Sequence, residues 1–208
     1  MVSWFLMGAT PAEPSAVTGA EKRFVLHGVP WWTYVALRDA LDDSGLKMTY
    51  LEGTLELMSP STLHEDAKTI IARLVEVWAM EKDLDLRGFG GATFRREAKE
   101  RGLEPDECYK LGALDDDGVP DIAIEVIVSS GLVDKMAVYA GLGVPEIWEW
   151  RPNASVLVVH RLVAGHYERR ERSEVLLDLD IAELSRFVRP GENQTRLAKA
   201  YQAELRSR

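Results

Sequence analysis

The chain has 208 residues, 46% of them hydrophobic, which suits one domain with a sizeable core. Its formal net charge of −9 argues against avid, nonspecific nucleic-acid binding, because phosphate neutralisation dominates that affinity. A nuclease survives this test, since metal-binding carboxylates make a site acidic. The single cysteine, Cys108, excludes an intrachain disulfide and a multi-cysteine zinc site, and fits a cytoplasmic protein.

Met1 to Thr10 holds Trp4, Phe5, Leu6 and Met7 but lacks a charged n-region and a full apolar core, so it does not read as a signal peptide. No apolar run approaches the ~18 residues that span a bilayer. Residues 8–22 are rich in Ala, Pro, Gly, Ser and Thr and read as a loose leader, leaving a single domain over 23–208. Pro30 opens a predicted helix, Trp31 to Leu41. Met48–Leu51 and Thr54–Met58 form a predicted hairpin around Glu52-Gly53. Thr62-Leu63-His64-Glu65 matches a capping box, and Ala67, Ile71, Leu74, Val75 and Trp78 recur behind it at helical spacing, predicting a helix from Leu63 to Lys82.

Gly88-Phe89-Gly90-Gly91 marks a turn before a short strand at Ala92–Arg95; without a following Lys-Ser/Thr it is no phosphate-binding loop. Leu103–Leu111 is a candidate strand entered through Pro105, and Asp115 to Gly118 is a polar turn. Asp121 to Val128 is the central strand, Leu132–Leu142 a helix stopped by Gly143, and Pro145–Trp150 a further strand. Val156–Leu162 and Tyr167–Arg170 read as a hairpin, and Ile181–Val188 and Gln194–Leu205 as terminal helices. The order predicts an α/β or α+β fold, a mixed central sheet flanked by helices.

The chemistry concentrates at Pro105-Asp106 and at Pro120-Asp121, which leads into a strand containing Glu125. A buried strand is apolar on both faces, so a mid-strand glutamate needs a metal or a charged partner. Asp121 and Glu125 share a face but lie roughly 13 Å apart at about 3.3 Å per residue, too far to chelate one ion. Asp106, from a neighbouring strand, is the better partner for Glu125. Lys135 is placed either to assist them or to pair with Glu125 as an ordinary ion pair. Glu65 has a possible structural use in the capping box, His64 could be an exposed polar residue, and Asp121 could simply start a strand. Arg95 to Arg101 and Arg169 to Arg172 are basic runs diluted by glutamates, the pattern of a solvated face. His27, His160 and His166 lack ligand spacing.

The order of these residues resembles the PD-(D/E)XK nuclease motif, with Ile127 where its lysine stands. Leu103 to Tyr109, Pro120 to Val126, Asp134-Lys135, Tyr139, Gly143-Val144-Pro145-Glu146 and Trp148 are similar to the bacterial family known as "putative restriction endonuclease", as are Glu52-Gly53, Met58 to Ser61 and His64-Glu65. The resemblance covers roughly 25–190. It implies a restriction-endonuclease-like fold and Mg²⁺- or Mn²⁺-dependent cleavage of DNA, with Asp106 and Glu125 as metal ligands, Lys135 catalytic, and Asp121, His64 and Glu65 supporting. By the same analogy a homodimer is expected. Two other readings stand beside it: a catalytically degenerate protein of this fold used for binding or structure, and a hydrolase acting on another substrate through paired carboxylates, which needs exposed aromatics beside Glu125.

Overall fold

The structure, a computed structural model, describes residues 20–113 and 118–207. In chain order it has β1 (Lys22–Leu26), α1 (Trp31–Ala40), β2 (Lys47–Leu51), β3 (Thr54–Ser59), α2 (Thr62–Glu81), β4 (Leu86–Gly88), β5 (Phe94–Arg96), β6 (Arg101–Leu103), β7 (Glu107–Leu111), β8 (Ile122–Val126), α3 (Lys135–Leu142), β9 (Glu146–Arg151), β10 (Val156–Val163), β11 (His166–Arg170), α4 (Ile181–Arg186) and α5 (Gln194–Arg206). The mixed α+β architecture is present, but the strands divide between two sheets. One is antiparallel, in the order β1-β3-β2-β6-β5. The other runs β11-β10-β9-β8-β7-β4 and is antiparallel except where β8 and β9 pair in parallel through α3.

The alternation of side chains along β8 divides its two faces. Ile122, Ile124 and Val126 enter the main core with α2, α4, α5 and the tryptophans Trp148 and Trp150. Ala123 faces α3, with Ile147, Val138 and Leu142. Glu125 follows Ala123 on this second face. The first sheet makes its own core under α1, where Tyr34 stacks on Tyr50 at 4.8 Å beside Met48 and Leu55.

Several boundaries differ from those the sequence predicts. Leu103–Leu111 is not one strand. Pro105 cannot donate to a ladder, so the chain leaves the first sheet after Leu103 and joins the second at Glu107. The cap of α2 is Ser61, whose hydroxyl accepts from His64 N at 3.2 Å, rather than Thr62; this shift by one frees Glu65 from any capping role. Helix α3 begins at Lys135, because Asp134 caps it by accepting from Ala137 N, and Leu132 is exposed in the preceding loop. β1 and β4, both edge strands, went unpredicted. The leader lies outside the described residues up to 19, and the fold begins before 23: Lys22 opens β1 and Glu21 is bonded into the core of the site. Most of the polar turn at 115–118 also lies outside the described residues. The Glu52-Gly53 turn is as expected, with φ of 45° and 85°, the left-handed pair that a two-residue hairpin of this twist requires.

Candidate active site

β7 and β8 pair antiparallel with Glu107 opposite Ile124, so one step further Asp106 stands opposite Glu125. Asp106 Oδ2 accepts from Val126 N at 2.8 Å, which fixes the carboxylate against the end of β8. Glu125 is 3% exposed and has a donor on each oxygen: Lys135 Nζ lies 2.6 Å from Oε2, and the Tyr139 hydroxyl donates to Oε1. Lys135 and Tyr139 are four residues apart on α3, the spacing that puts two side chains on one helix face. Lys135, on the element after Ile127, is thus the lysine that reaches Glu125. Ile127 itself continues the sheet by donating its N–H to Trp150 O.

His64 is fully buried in the first turn of α2. Its Nδ1 lies 2.8 Å from Glu21 Oε1, and its Nε2 lies 2.9 Å from Asp106 Oδ1. Lys47 Nζ donates to Pro105 O at 2.9 Å and lies 4.0 Å from the same Asp106 oxygen. Around this centre an ion network ties the first sheet to the loop before α3. Arg23 bridges Glu21 and Glu56, at 2.9 and 2.5 Å, and its Nε donates to Ser129 Oγ. Ser129 also donates to Glu21, and Leu132 N donates to Glu56 Oε2. A cleft of about 210 Å³ opens beside Glu125, lined by Arg23, Ile127, Ser129, Lys135, Glu149 and Arg151 among others. No aromatic side chain lines it among the described residues.

The electrostatics separate the two carboxylates. Burial pushes Asp106 up, but His64, Lys135 and Lys47 outweigh it and hold the group down at about 2. Glu125 is raised: burial and the nearby Asp106 charge exceed what Lys135 and Tyr139 return. Lys135 is raised despite its burial, by Glu125 and Asp106. His64 is raised as well, because Asp106 and Glu21 override the cost of burying its charge. Buried carboxylates driven apart in this way occur at functional sites and in structural ion-pair networks alike.

Of the residues singled out in the sequence, Asp106, Glu125, Lys135 and His64 come together. Asp121 does not: at the far end of β8 it accepts from Leu111 N at 2.8 Å and pairs with Lys110, holding the β7–β8 connection. Glu65 pairs with Lys68 on the surface of α2 at 2.5 Å. Glu21, Arg23, Lys47 and Glu56 escaped the sequence reading. Glu21 sits at the end of a Pro- and Ser-rich stretch, and Glu56 alternates with Leu55 and Leu57 as an exposed strand residue would; no local signal marks either. Within the basic runs, Arg95 pairs with Asp39, Arg101 with Glu52, and Arg170 with Glu168 and Glu174.

Among the described residues no three His, Cys, Asp or Glu side chains converge as a ready metal cage. A hard divalent ion needs less, since Mg²⁺ commonly takes one or two carboxylates and keeps several waters. Asp106 Oδ1 is buried beside His64 Nε2 at 2.9 Å, and each Glu125 oxygen, engaged by one donor, retains a lone pair. The donor set fits such an ion.

Carboxylates opposite each other on adjacent strands, one of them paired with a lysine from the following helix, stand on a mixed α+β fold of the restriction-endonuclease-like class. The chain belongs to the Uma2 family, described as "Putative restriction endonuclease", whose model matches residues 31–191. Among solved structures it is similar to a "putative nuclease belonging to DUF820" from Anabaena variabilis ATCC 29413, at 16% identity and a TM-score of 0.47, over 68% of this chain and 91% of that one. No curated protein matches the sequence. No helix of the described residues is long and apolar enough to cross a membrane.

Proposed function

We propose that this protein is a metal-dependent endodeoxyribonuclease that hydrolyses DNA phosphodiester bonds, acting in the cytoplasm. The observation that carries the reading is the facing pair Asp106 and Glu125 with Lys135 at 2.6 Å from Glu125. Asp106 and Glu125 would hold Mg²⁺ or Mn²⁺, which when bound polarises a phosphate oxygen and activates water. The chain's own groups do the rest. Val126 N–H orients Asp106, and Tyr139 orients Glu125. Lys135 places a positive charge at the cleft mouth, where charge develops on the phosphate. His64, Lys135 and Lys47 hold the Asp106 carboxyl low, which favours its ionised form. By family analogy two copies would act together on the two strands.

The test is plasmid cleavage with Mg²⁺ and with Mn²⁺ by wild type, Asp106→Ala and Glu125→Ala. Metal-dependent nicking reduced by roughly 100-fold or more in each variant is expected. Light scattering with size exclusion checks the dimer. A second reading, a degenerate relative used for binding, is favoured by one observation: both oxygens of Glu125 already have donors, Lys135 in a short ion pair. Absence of cleavage by folded wild type with either metal, together with a Lys135→Met variant that loses only stability, would select it.

A further inference from the structure

We infer that Arg151 is the phosphate-binding residue of the cleft: its guanidinium holds a backbone phosphate of the DNA strand that enters beside Glu125. This rests on the nuclease reading above and names the group that positions the substrate at the same site. β8 and β9 pair in parallel with Glu125 opposite Glu149, so Glu149 stands beside Glu125 on one face of the sheet. Arg151 follows two residues later and returns to that face. At about 3.3 Å of rise per residue and ~4.8 Å between strands, its backbone is roughly 8 Å from that of Glu125. Glu125, Glu149 and Arg151 all line the cleft.

Among the described residues three cations line this cleft, Arg23, Lys135 and Arg151. Two are already engaged. The Arg23 side chain is 12% exposed and bridges Glu21 and Glu56. Lys135 Nζ is tied to Glu125 at 2.6 Å. Arg151 differs, with its side chain 47% exposed and a single long contact, Nη2 donating to Glu149 Oε2 at 3.4 Å. His160 Nε2 stands 3.5 Å from the same oxygen, so that atom serves two partners. An exposed, end-on ion pair of this kind is weak, because water screens it. A guanidinium meets a phosphate with two parallel N–H···O bonds, which is the stronger geometry. Arg151 therefore gives up one long contact and gains a fork. Such a contact fixes the strand in the cleft without reading its bases. Arg169, opposite His160 on β11, is exposed too but lies outside the cleft lining, which makes it the control.

The experiment measures binding of a fluorescein-labelled DNA duplex by anisotropy, without metal, as salt is raised. Steady-state cleavage of the same duplex in Mn²⁺ accompanies it. Arg151→Gln should lower the slope of log K against log salt by about one. It should also weaken binding roughly tenfold, as loss of a charged hydrogen bond does, and raise KM with kcat nearly unchanged. Arg151→Lys should keep the slope, since the charge remains, yet bind more weakly than wild type because the fork is lost. Arg169→Gln, the same change of charge outside the cleft, should keep the wild-type slope and KM. A wild-type slope in Arg151→Gln, or an equal fall in Arg169→Gln, would overturn the assignment; cleavage by wild type would then still uphold the nuclease. Binding without cleavage, with the slope lowered in Arg151→Gln alone, would uphold the phosphate contact and sink the nuclease. Neither binding nor cleavage by folded wild type would overturn both.

Discussion

Tyr139 donates to a carboxylate that has no water to replace the bond, since both groups are buried. Tyr139→Phe should therefore cost about 1–3 kcal/mol of stability, read by urea unfolding, and lower cleavage as Glu125 loses its orientation. Cys108 tests the site's surroundings. Burial and the nearby Glu107 charge push its thiol up from 9.0 to about 12. A group raised in the folded state contributes stability that is whole below its unfolded pKa and is lost as pH rises to the folded one. Wild type should lose stability between about pH 9 and pH 12 at up to about 1.4 kcal/mol per pH unit more than Cys108→Ala. Urea midpoints of the two proteins across that range measure the difference.

At the scale of elements, the break at Glu104-Pro105-Asp106 does two jobs. Glu104 turns back to Arg38 at 2.5 Å under α1, and Asp106 turns forward to β8. One short segment thereby fastens both sheets and delivers the carboxylate. Close approaches at glycine hold the neighbouring strands in place. A Cβ at Gly102 would meet the ring and hydroxyl of Tyr34, which is fully buried and stacked on Tyr50. Gly102→Ala should cost about 1–3 kcal/mol through overpacking, seen as a lower melting temperature. A Cβ at Gly91 would stand 2.6 Å from Lys47 Nζ and 3.3 Å from Pro105 O. Lys47 is a flexible chain and can move, so Gly91→Ala should leave stability nearly unchanged.

For the molecule as a whole, α5 closes the main core. Leu197 and Tyr201 are buried in it, Gln194 and Gly191 bind Asp66 at 2.7 and 2.6 Å, and Gln202 and Arg206 bind Glu81. Removing 193–208 strips two buried side chains, worth roughly 3–6 kcal/mol together. Set against a total stability on the order of 5–15 kcal/mol, the truncated chain should melt roughly 6–24 °C lower or lose its cooperative transition, as calorimetry would record.

The helices α2 and α5, the Glu52-Gly53 hairpin and the apolar β8 were legible because period, cap and turn chemistry act over a few residues. So was the need of Glu125 for a partner, since a charge inside an apolar run carries its own energetic contradiction. The sequence by itself determined these, and with the resemblance it singled out Asp106, Lys135 and His64 beside Glu125. What surrounds them was decided by tertiary structure. The rise of the strand already set Asp121 apart from Glu125, but that Asp106 stands opposite Glu125 is fixed by the register of β7 on β8. That Glu21 holds His64, that Arg23 bridges Glu21 and Glu56, and that Lys47 reaches Pro105 are contacts across 43, 33 and 58 residues of chain. No local pattern encodes such separations. They exist because the break at Pro105 passes the chain from one sheet to the other, and Leu103 of the first shares a core with Ala123 and Ile147 of the second.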